Sequence, residues 1–375
     1  MRKSRLTGQA DEGEAAAAAE MLLGHSWEQC RQLALPMLRA GVSVLVRGNP
    51  GVGKSALAAS IAADLGLQMI DIRLAQRDPA DISGVYFPNQ GQSAGPSKLC
   101  LVAPDWVLDA TENARFIFLD EINAAVTRLH QAAAYQIVLE RRVGPHKFHP
   151  GTVVMAAGNL PDDKAIVSEL SSALANRFAH LTMRIDHQSW MTWAEKEGLD
   201  DRVLGFIASK GNEALYKNLG DAAFPSPRTW AMAAKIIPGV PEDLIMDAVG
   251  ACVGTAAAED FRAWLDLYGR VDPERIINEG EMIDFNAGEN QEPSFQYAAV
   301  FAVGSWVTGP GGPLDKTRAR NLAKFIFSNG LDAEYQYLLL RRIWRDTALV
   351  SLLKAETGFR KSASKLAALR MEMFR

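Results

Sequence analysis

Up to about residue 185 the chain alternates short apolar runs with segments of helical period, and beyond that point the pattern is helical almost throughout. Val42-Ser43-Val44-Leu45-Val46 is apolar and β-branched and reads as a buried strand, while the alanine-rich run from Ala56 to Leu65 favours helix. Met69 to Arg73 predicts a second strand, Phe116 to Leu119 a third, Thr152 to Ala157 a fourth and His180 to Ile185 a fifth. Helical segments intervene, including residues 26–40, opened by Ser26 as N-cap and stopped at Gly41, and a helix from about Ala124 to Arg142. Strands that are apolar without alternation, separated by helices, predict an α/β fold on a five-stranded parallel sheet. The stretch Asp78 to Trp106 is rich in Pro, Gly, Asn and Ser and is long for a connection, which suggests function. Gly144-Pro145-His146 and Pro150-Gly151 bracket a short hairpin.

From Asp186 onward the pattern predicts helices over Asp186–Glu197, Arg202–Leu219, Ser226–Ile237, Pro241–Thr255 and Ala257–Gly269. Residues 271–294 carry seven Asp and Glu against one Arg and read as a linker. Further helices are expected over Ser294–Val307, Asp315–Asn329, Ala333–Thr357 and Lys361–Met373. Residues 1 to about 25 read as a mobile tail with partial helicity in the alanine run.

Composition changes this picture little. The 375 residues are 48% hydrophobic and 22% charged, with a formal net charge of −4, so neither nucleic acid nor an anionic membrane is attracted by bulk charge. The charge is uneven: residues 315–375 hold 13 Lys and Arg against 6 Asp and Glu, a net of +7, which leaves −11 for the rest. A basic end facing an acidic body is either a self-assembly contact or a solvated helical face. Cys30, Cys100 and Cys252 lie far apart without C-x-x-C spacing, which argues against zinc or a disulfide framework and fits a reducing, cytoplasmic location. No apolar run reaches the roughly 18 residues of a membrane span.

The chemistry concentrates in Gly48-Asn49-Pro50-Gly51-Val52-Gly53-Lys54-Ser55, which fits G-x-x-x-x-G-K-[ST] between a predicted strand and a predicted helix. Glycines let the backbone approach phosphate, Lys54 brings a mobile cation, and the Ser55 hydroxyl can ligate Mg²⁺. Asp120 and Glu121 end the third strand, where open α/β sheets place their ligands. Asp120 is the expected Mg²⁺-side carboxylate and Glu121 the group that activates water; the competing reading is a pair of helix N-terminal acids. Asn159 follows the fourth strand, where its amide can reach a γ-phosphate or the attacking water, or can cap the next element.

In order along the chain these residues resemble the AAA+ ATPases, and within them the MoxR-like branch. The resemblance rests on Gly48 to Ser55 as Walker A, Phe116 to Glu121 as Walker B, Leu139 to Val143 on the next helix and Ala156-Ala157-Gly158-Asn159 as sensor 1. Leu174 to Phe178 surrounds an arginine finger and Ser226-Pro227-Arg228 stands for sensor 2. It covers residues 28–255 and weakens beyond. It implies a P-loop NTPase core over 26–185 binding ATP and Mg²⁺, an all-α lid over 186–270, and an acidic linker with a helical C-terminal extension over 271–375. It further implies a homo-oligomeric, usually hexameric ring in which Arg177 reaches the neighbour's nucleotide and Arg228 contacts nucleotide from the lid. Residues 78–106 correspond to the helix-2 insertion of that branch. Tyr86 and Phe87 are then either substrate contacts or packing for the insertion.

The leading function is therefore an ATPase that remodels a protein client, with a von Willebrand factor A domain partner on another chain. One alternative is a nucleic-acid motor, disfavoured by the acidic pI near 5.9. The other is a non-hydrolysing nucleotide-binding scaffold, disfavoured because Lys54, Asp120, Glu121 and Arg177 are all present. ATPase stimulation by DNA, RNA or protein separates the first two, and turnover disposes of the third.

Overall fold

A computed structural model describes residues 24–89, 98–123, 127–160, 170–218, 220–328, 330–344 and 346–355. The chain divides into two compact units, residues 1–189 and 190–375.

The first unit is built on a five-stranded parallel sheet. In chain order its strands and hairpins are β1 (Val44–Arg47), β2 (Gln68–Arg73), β3 (Val85–Asn89), β4 (Lys98–Val102), β5 (Arg115–Asp120), β6 (Arg142–Val143), β7 (His146–Lys147), β8 (Val153–Gly158) and β9 (Ala179–Thr182). The sheet order is β2-β5-β8-β1-β9. The central strands are buried on both faces, with Phe116, Ile117, Phe118 and Leu119 wholly inaccessible and all of β8 buried. That burial is why their sequences run apolar without alternation.

Helix α1 (Trp27–Arg39) opens with a reciprocal cap between Ser26 and Gln29 and stops before Gly41, whose φ is 78°. Helix α2 (Lys54–Leu65) starts directly from the left-handed Gly53. In its described residues the stretch 78–106 holds more regular structure than its composition suggests. It holds α3 (Pro79–Ser83), whose cap is a box between Asp78 and Asp81, the antiparallel hairpin β3–β4 and the start of α4 (Asp105–Glu112). Helix α5 (Arg128–Tyr135) runs on into a π-helical turn at Gln136–Glu140, so the segment ends as strand β6 at Arg142 and not as helix. The last sheet strand lies at Ala179–Thr182, one residue earlier at its start than its pattern implies, after the short α6 (Ser172–Ala175).

The second unit is helical: α7 (His187–Lys196, with the unit boundary in its first turn), α8 (Asp201–Lys210), α9 (Asn212–Leu215), α10 (Pro227–Ile236), α11 (Ile245–Val253), α12 (Thr255–Gly269), α13 (Pro293–Thr308), α14 (Lys316–Ser328), α15 (Ala333–Ile343) and α16 (Thr347–Ala355). Phe206 stacks among Trp230, Phe261 and Trp264 at ring separations of 5.2, 5.4 and 6.4 Å. Gly205 beside it has no room for a side chain, since a Cβ there would stand 2.6 Å from Trp264 and 3.0 Å from Phe301. The missing methyl lets α13 seat directly on α8.

The acidic stretch 271–294 does not run as an exposed connection. Val271, Ile276, Ile277 and Phe285 are buried in one core with Phe295, Leu322, Phe325 and Leu339, and Asn321 donates to the Ile277 carbonyl at 3.0 Å. Its acidity belongs to the solvent-facing positions, and averaging over both faces hid the apolar ones. The described helices from Trp190 to Ala355, expected as a lid over 186–270 and a separate extension over 271–375, belong to one compact unit. The helix expected over Ala333–Thr357 breaks at Asp346, whose carboxylate accepts from the Leu349 N–H at 2.9 Å. The one expected over Lys361–Met373, and the N-terminal tail up to residue 23, lie outside the described residues.

Candidate nucleotide site

Three adjacent strands deliver the polar groups. β1 lies beside β8 with Arg47 opposite Gly158, and β8 lies beside β5 with Ala156 opposite Leu119. Their C-terminal ends therefore open on one edge, and the residues that follow them meet there. The loop Gly48 to Gly53 leaves β1, turns through Gly51 and Gly53 at φ 78° and 102°, and feeds α2. These are left-handed conformations that a side chain would strain. Gly48 is needed for a different reason, because a Cβ would stand 2.8 Å from the Met183 carbonyl. Val52 is buried and anchors the loop, while Asn49 and Pro50 form its half-buried crest.

Lys54 Nζ donates to the Gly48 and Asn49 carbonyls at 2.7 and 3.1 Å and to Asn159 Oδ1 at 2.9 Å. Ser55 Oγ donates to Asp120 Oδ2 at 3.0 Å, and the other carboxylate oxygen accepts the Glu121 N–H at 2.9 Å. Sequence separations of 105 and 65 residues are closed by these two contacts. Glu121 itself sits at φ 54°, in the left-handed region, as only Arg141 does among the other described non-glycine residues. Such a backbone costs on the order of 1 kcal/mol or more and persists where the surroundings enforce it.

The residues expected to act on phosphate, Lys54, Ser55, Asp120 and Asn159, are thus brought to one place, with Glu121 next to Asp120. Arg177 is not part of this cluster. It follows α6 as an exposed side chain with no ion pair or hydrogen bond among the described residues, while its neighbour Phe178 is buried in the core. Arg228 belongs to the second unit, exposed in the first turn of α10, which is opened by a reciprocal cap between Ser226 and Thr229. Arg141 has a structural use: its guanidinium donates to Gly41 O and Ser43 Oγ, both at 3.0 Å, and burial lowers its pKa. Tyr86 and Phe87 are 59% and 54% exposed on the β3–β4 hairpin, and it is Leu101 that packs the hairpin on the core.

Asn123 is the residue the sequence reading passed over. It is 7% exposed, its Oδ1 accepts the Asn159 N–H at 3.0 Å and its Nδ2 donates to the Asn159 carbonyl at 2.8 Å. The available signal was a carboxamide two residues beyond the acid pair, in a turn that otherwise continues apolar.

Among the described residues no group of three His, Cys, Asp or Glu could hold a metal. A hydroxyl and a carboxylate converging at Ser55 and Asp120 nevertheless suit Mg²⁺, which takes one or two protein oxygens and completes its shell with water and substrate phosphate. The glycine loop leading into a helix N-terminus suits a phosphate chain. No helix among the described residues is long and apolar enough to cross a membrane.

A stretch of 88 residues, 22% of this chain, is 35% identical to midasin of Dictyostelium discoideum, of which it spans 1%. The Holliday junction branch migration motor RuvB of Thermotoga maritima is 15% identical over 69% of this chain and 78% of its own, with a TM-score of 0.37. A mutant of that motor gives 14% identity and a TM-score of 0.32. Residues 44–183, from the start of β1 to just past β9, match the family of ATPases associated with various cellular activities (AAA), and this stretch holds the five-stranded sheet and its polar edge.

Proposed function

We propose that the chain binds Mg·ATP and hydrolyses it as a MoxR-like AAA+ ring protein, using the energy to remodel a protein client with a von Willebrand factor A domain partner. The observation that carries the hydrolytic part is the meeting of Lys54, Ser55, Asp120 and Asn159 at the ends of three adjacent strands. In this reading the loop's backbone and Lys54 hold the phosphates, and Ser55 and Asp120 hold Mg²⁺, which when bound neutralises phosphate charge. Glu121 accepts the proton of the attacking water, Asn159 positions that water or the terminal phosphate, and Arg177 serves a neighbouring subunit in a hexamer. Arg228 contacts nucleotide from the helical unit. The Arg177 side chain, exposed and without an ion pair or hydrogen bond among the described residues, supports the trans role, since a finger must stand clear of its own subunit's partners. Exposed Val85, Tyr86, Phe87, Leu99 and Val102 on one small hairpin support contact with protein.

The test is turnover together with capture. Wild type should release phosphate from Mg·ATP, and Glu121→Gln with ATP should co-purify with client and partner in a ring-sized assembly. Binding without turnover in wild type would refute the enzyme reading. A Glu121→Gln protein that hydrolyses at the wild-type rate would remove Glu121 from its role.

A further inference from the structure

Asn123 follows the acid pair at the tip of β5, yet its side chain serves a different strand. Both polar atoms of the carboxamide are used on a single residue: Oδ1 accepts the Asn159 N–H at 3.0 Å, and Nδ2 donates to the Asn159 carbonyl at 2.8 Å. The next backbone link down, Ile122 N–H to Ala157 O at 2.9 Å, continues the pairing between the same two segments. Asn123 therefore extends the β5–β8 ladder by one step in side-chain form, beyond the point where the backbones part. Only a primary carboxamide can do this, offering one acceptor and one donor in a plane. Aspartate would set a carboxylate oxygen against the Asn159 carbonyl.

Neighbouring residues show that the fit is specific. A Cβ on Gly158 would stand 2.8 Å from Asn123 Oδ1, so the glycine before Asn159 is what lets the carboxamide reach the backbone behind it. The Asn159 side chain then points its Oδ1 at Lys54 Nζ, 2.9 Å away. Backbone and side chain of Asn159 are thus held from opposite directions, one by the acid strand and one by the phosphate lysine.

We infer that Asn123 is a positioning residue for hydrolysis, fixing the backbone of Asn159 so that its amide is held in register with Lys54 and the Asp120–Glu121 pair. This rests on the ATPase reading of the same site. Asn123 touches none of the reacting groups itself, and its effect passes through Asn159. A displacement of the order of 1 Å in a catalytic group can lower a rate about 100-fold, whereas the loop that binds the phosphates is untouched by the change.

The experiment compares wild type, Asn123→Ala, Asn159→Ala and the double variant for kcat, KM and equilibrium affinity for a fluorescent ATP analogue. Asn123→Ala should lose roughly 10-fold to 100-fold in kcat with affinity within about 3-fold of wild type. The double variant should match Asn159→Ala alone, because a residue that acts through Asn159 has nothing left to position. Losses that multiply in the double variant, or an unchanged kcat in Asn123→Ala, would overturn the inference. So would a loss of affinity as large as the loss of kcat, which is what general loosening of the domain would give. Should Asn123→Ala fold poorly, Asn123→Asp and Gly158→Ala perturb the same contact and must show the same split. Amide exchange separates this inference from the reading it rests on. The Asn159 N–H should exchange faster in Asn123→Ala than in wild type, whether or not wild type turns ATP over. A wild type without turnover fails the ATPase reading, and unchanged exchange at residue 159 fails the contact itself.

Discussion

The two units differ in where their long-range polar contacts gather. In the α/β unit the polar side chains brought together from distant positions, Lys54, Ser55, Asp120, Asn123 and Asn159, crowd one edge of the sheet and contribute little to the core beneath them. In the helical unit the long-range charged contacts join helix to helix. Arg341 grips both carboxylate oxygens of Glu195 at 2.7 and 2.9 Å, and Arg342 pairs with Asp201 while its guanidinium lies 4.3 Å over the Phe301 ring. The α/β unit has structural pairs of its own, such as Arg31 with Asp64 at 2.8 Å, but among the described residues it alone gathers a further polar cluster at its strand ends. What separates that cluster from the structural pairs is whether the partners sit at the open ends of buried strands or between packed helices.

The most drastic way to break the contrast is to end the chain at residue 314. Composition invites treating the basic C-terminal part as an appendage, but Leu322, Phe325, Ile326, Leu339, Leu340 and Ile343 are all buried in the core shared with Phe295 and Val303. Each such side chain is worth about 2–5 kcal/mol, against a total stability of about 5–15 kcal/mol for a domain. The helical unit should lose its cooperative unfolding transition by circular dichroism. Survival of that transition in the truncated chain would show that the shared core is dispensable.

Next in size is Arg177→Ala, which should lower turnover by about 10³-fold to 10⁵-fold if the guanidinium stabilises the transferring phosphoryl group. Lys54→Ala should be inactive because it cannot hold nucleotide. Mixing the two after subunit exchange should restore activity if the finger acts between subunits, since about one junction in four is then intact. No recovery in a mixture shown to exchange would place Arg177 outside the neighbour's site.

Glu121→Gln should lower kcat by about 10²-fold to 10⁴-fold, the span of general base catalysis, while leaving the melting temperature close to wild type. The contrast sharpens with Arg342→Ala, which should do the reverse. Its side chain is 10% exposed and removing it leaves Asp201 without its cation, for a loss of about 3 kcal/mol in the helical unit. Nucleotide affinity of the α/β unit should stay within about 2-fold by the same comparison. A Glu121→Gln protein that melts much earlier, or an Arg342→Ala protein that does not, would erase the distinction.

The smallest effect is the pH dependence that Cys30 gives the α/β unit, beside which burial also raises Cys252, Tyr268, Tyr297 and Tyr335 in the helical unit. Burial pushes the Cys30 thiol up to about 12, so folding favours its neutral form. The unfolded chain titrates near 8.5, so this contribution is whole below that pH and is lost progressively as pH rises from about 8.5 toward 12. Calorimetry between pH 8 and 10 should show a decline of the order of 1–2 kcal/mol that is weaker in Cys30→Ala. An identical slope in the variant would assign the decline to other groups.

Much of the α/β unit was legible because its signals are local. A buried parallel strand must be apolar on both faces, and a phosphate loop must carry its glycines and its Lys54-Ser55 pair in one short run, so both are written in consecutive residues. The same holds for Ser26 and Gly41 at the ends of α1. That Lys54 and Asn159 both serve a phosphate site was read from the loop motif, the strand end and family order, but their contact was not legible, for the sequence places them 105 residues apart and gives no distance.

Other features exist only once the chain has folded. Residues 271–294 look like a linker until Phe285 meets Phe325 and Ile277 receives Asn321, because a one-dimensional average cannot separate the two faces of an irregular segment. Residues 78–106 look like a loop until β3 pairs with β4, since a hairpin is specified by the register between strands and not by either strand alone. Asn123 reads as one more polar residue in a turn until the parallel sheet sets β5 beside β8 and brings its carboxamide to the Asn159 backbone. Sequence determined which residue types the strand ends carry, because period and motif are properties of neighbours along the chain. Tertiary structure decided which of those residues touch, because hydrogen-bond partners are selected by distances of about 3 Å that only sheet order and register create.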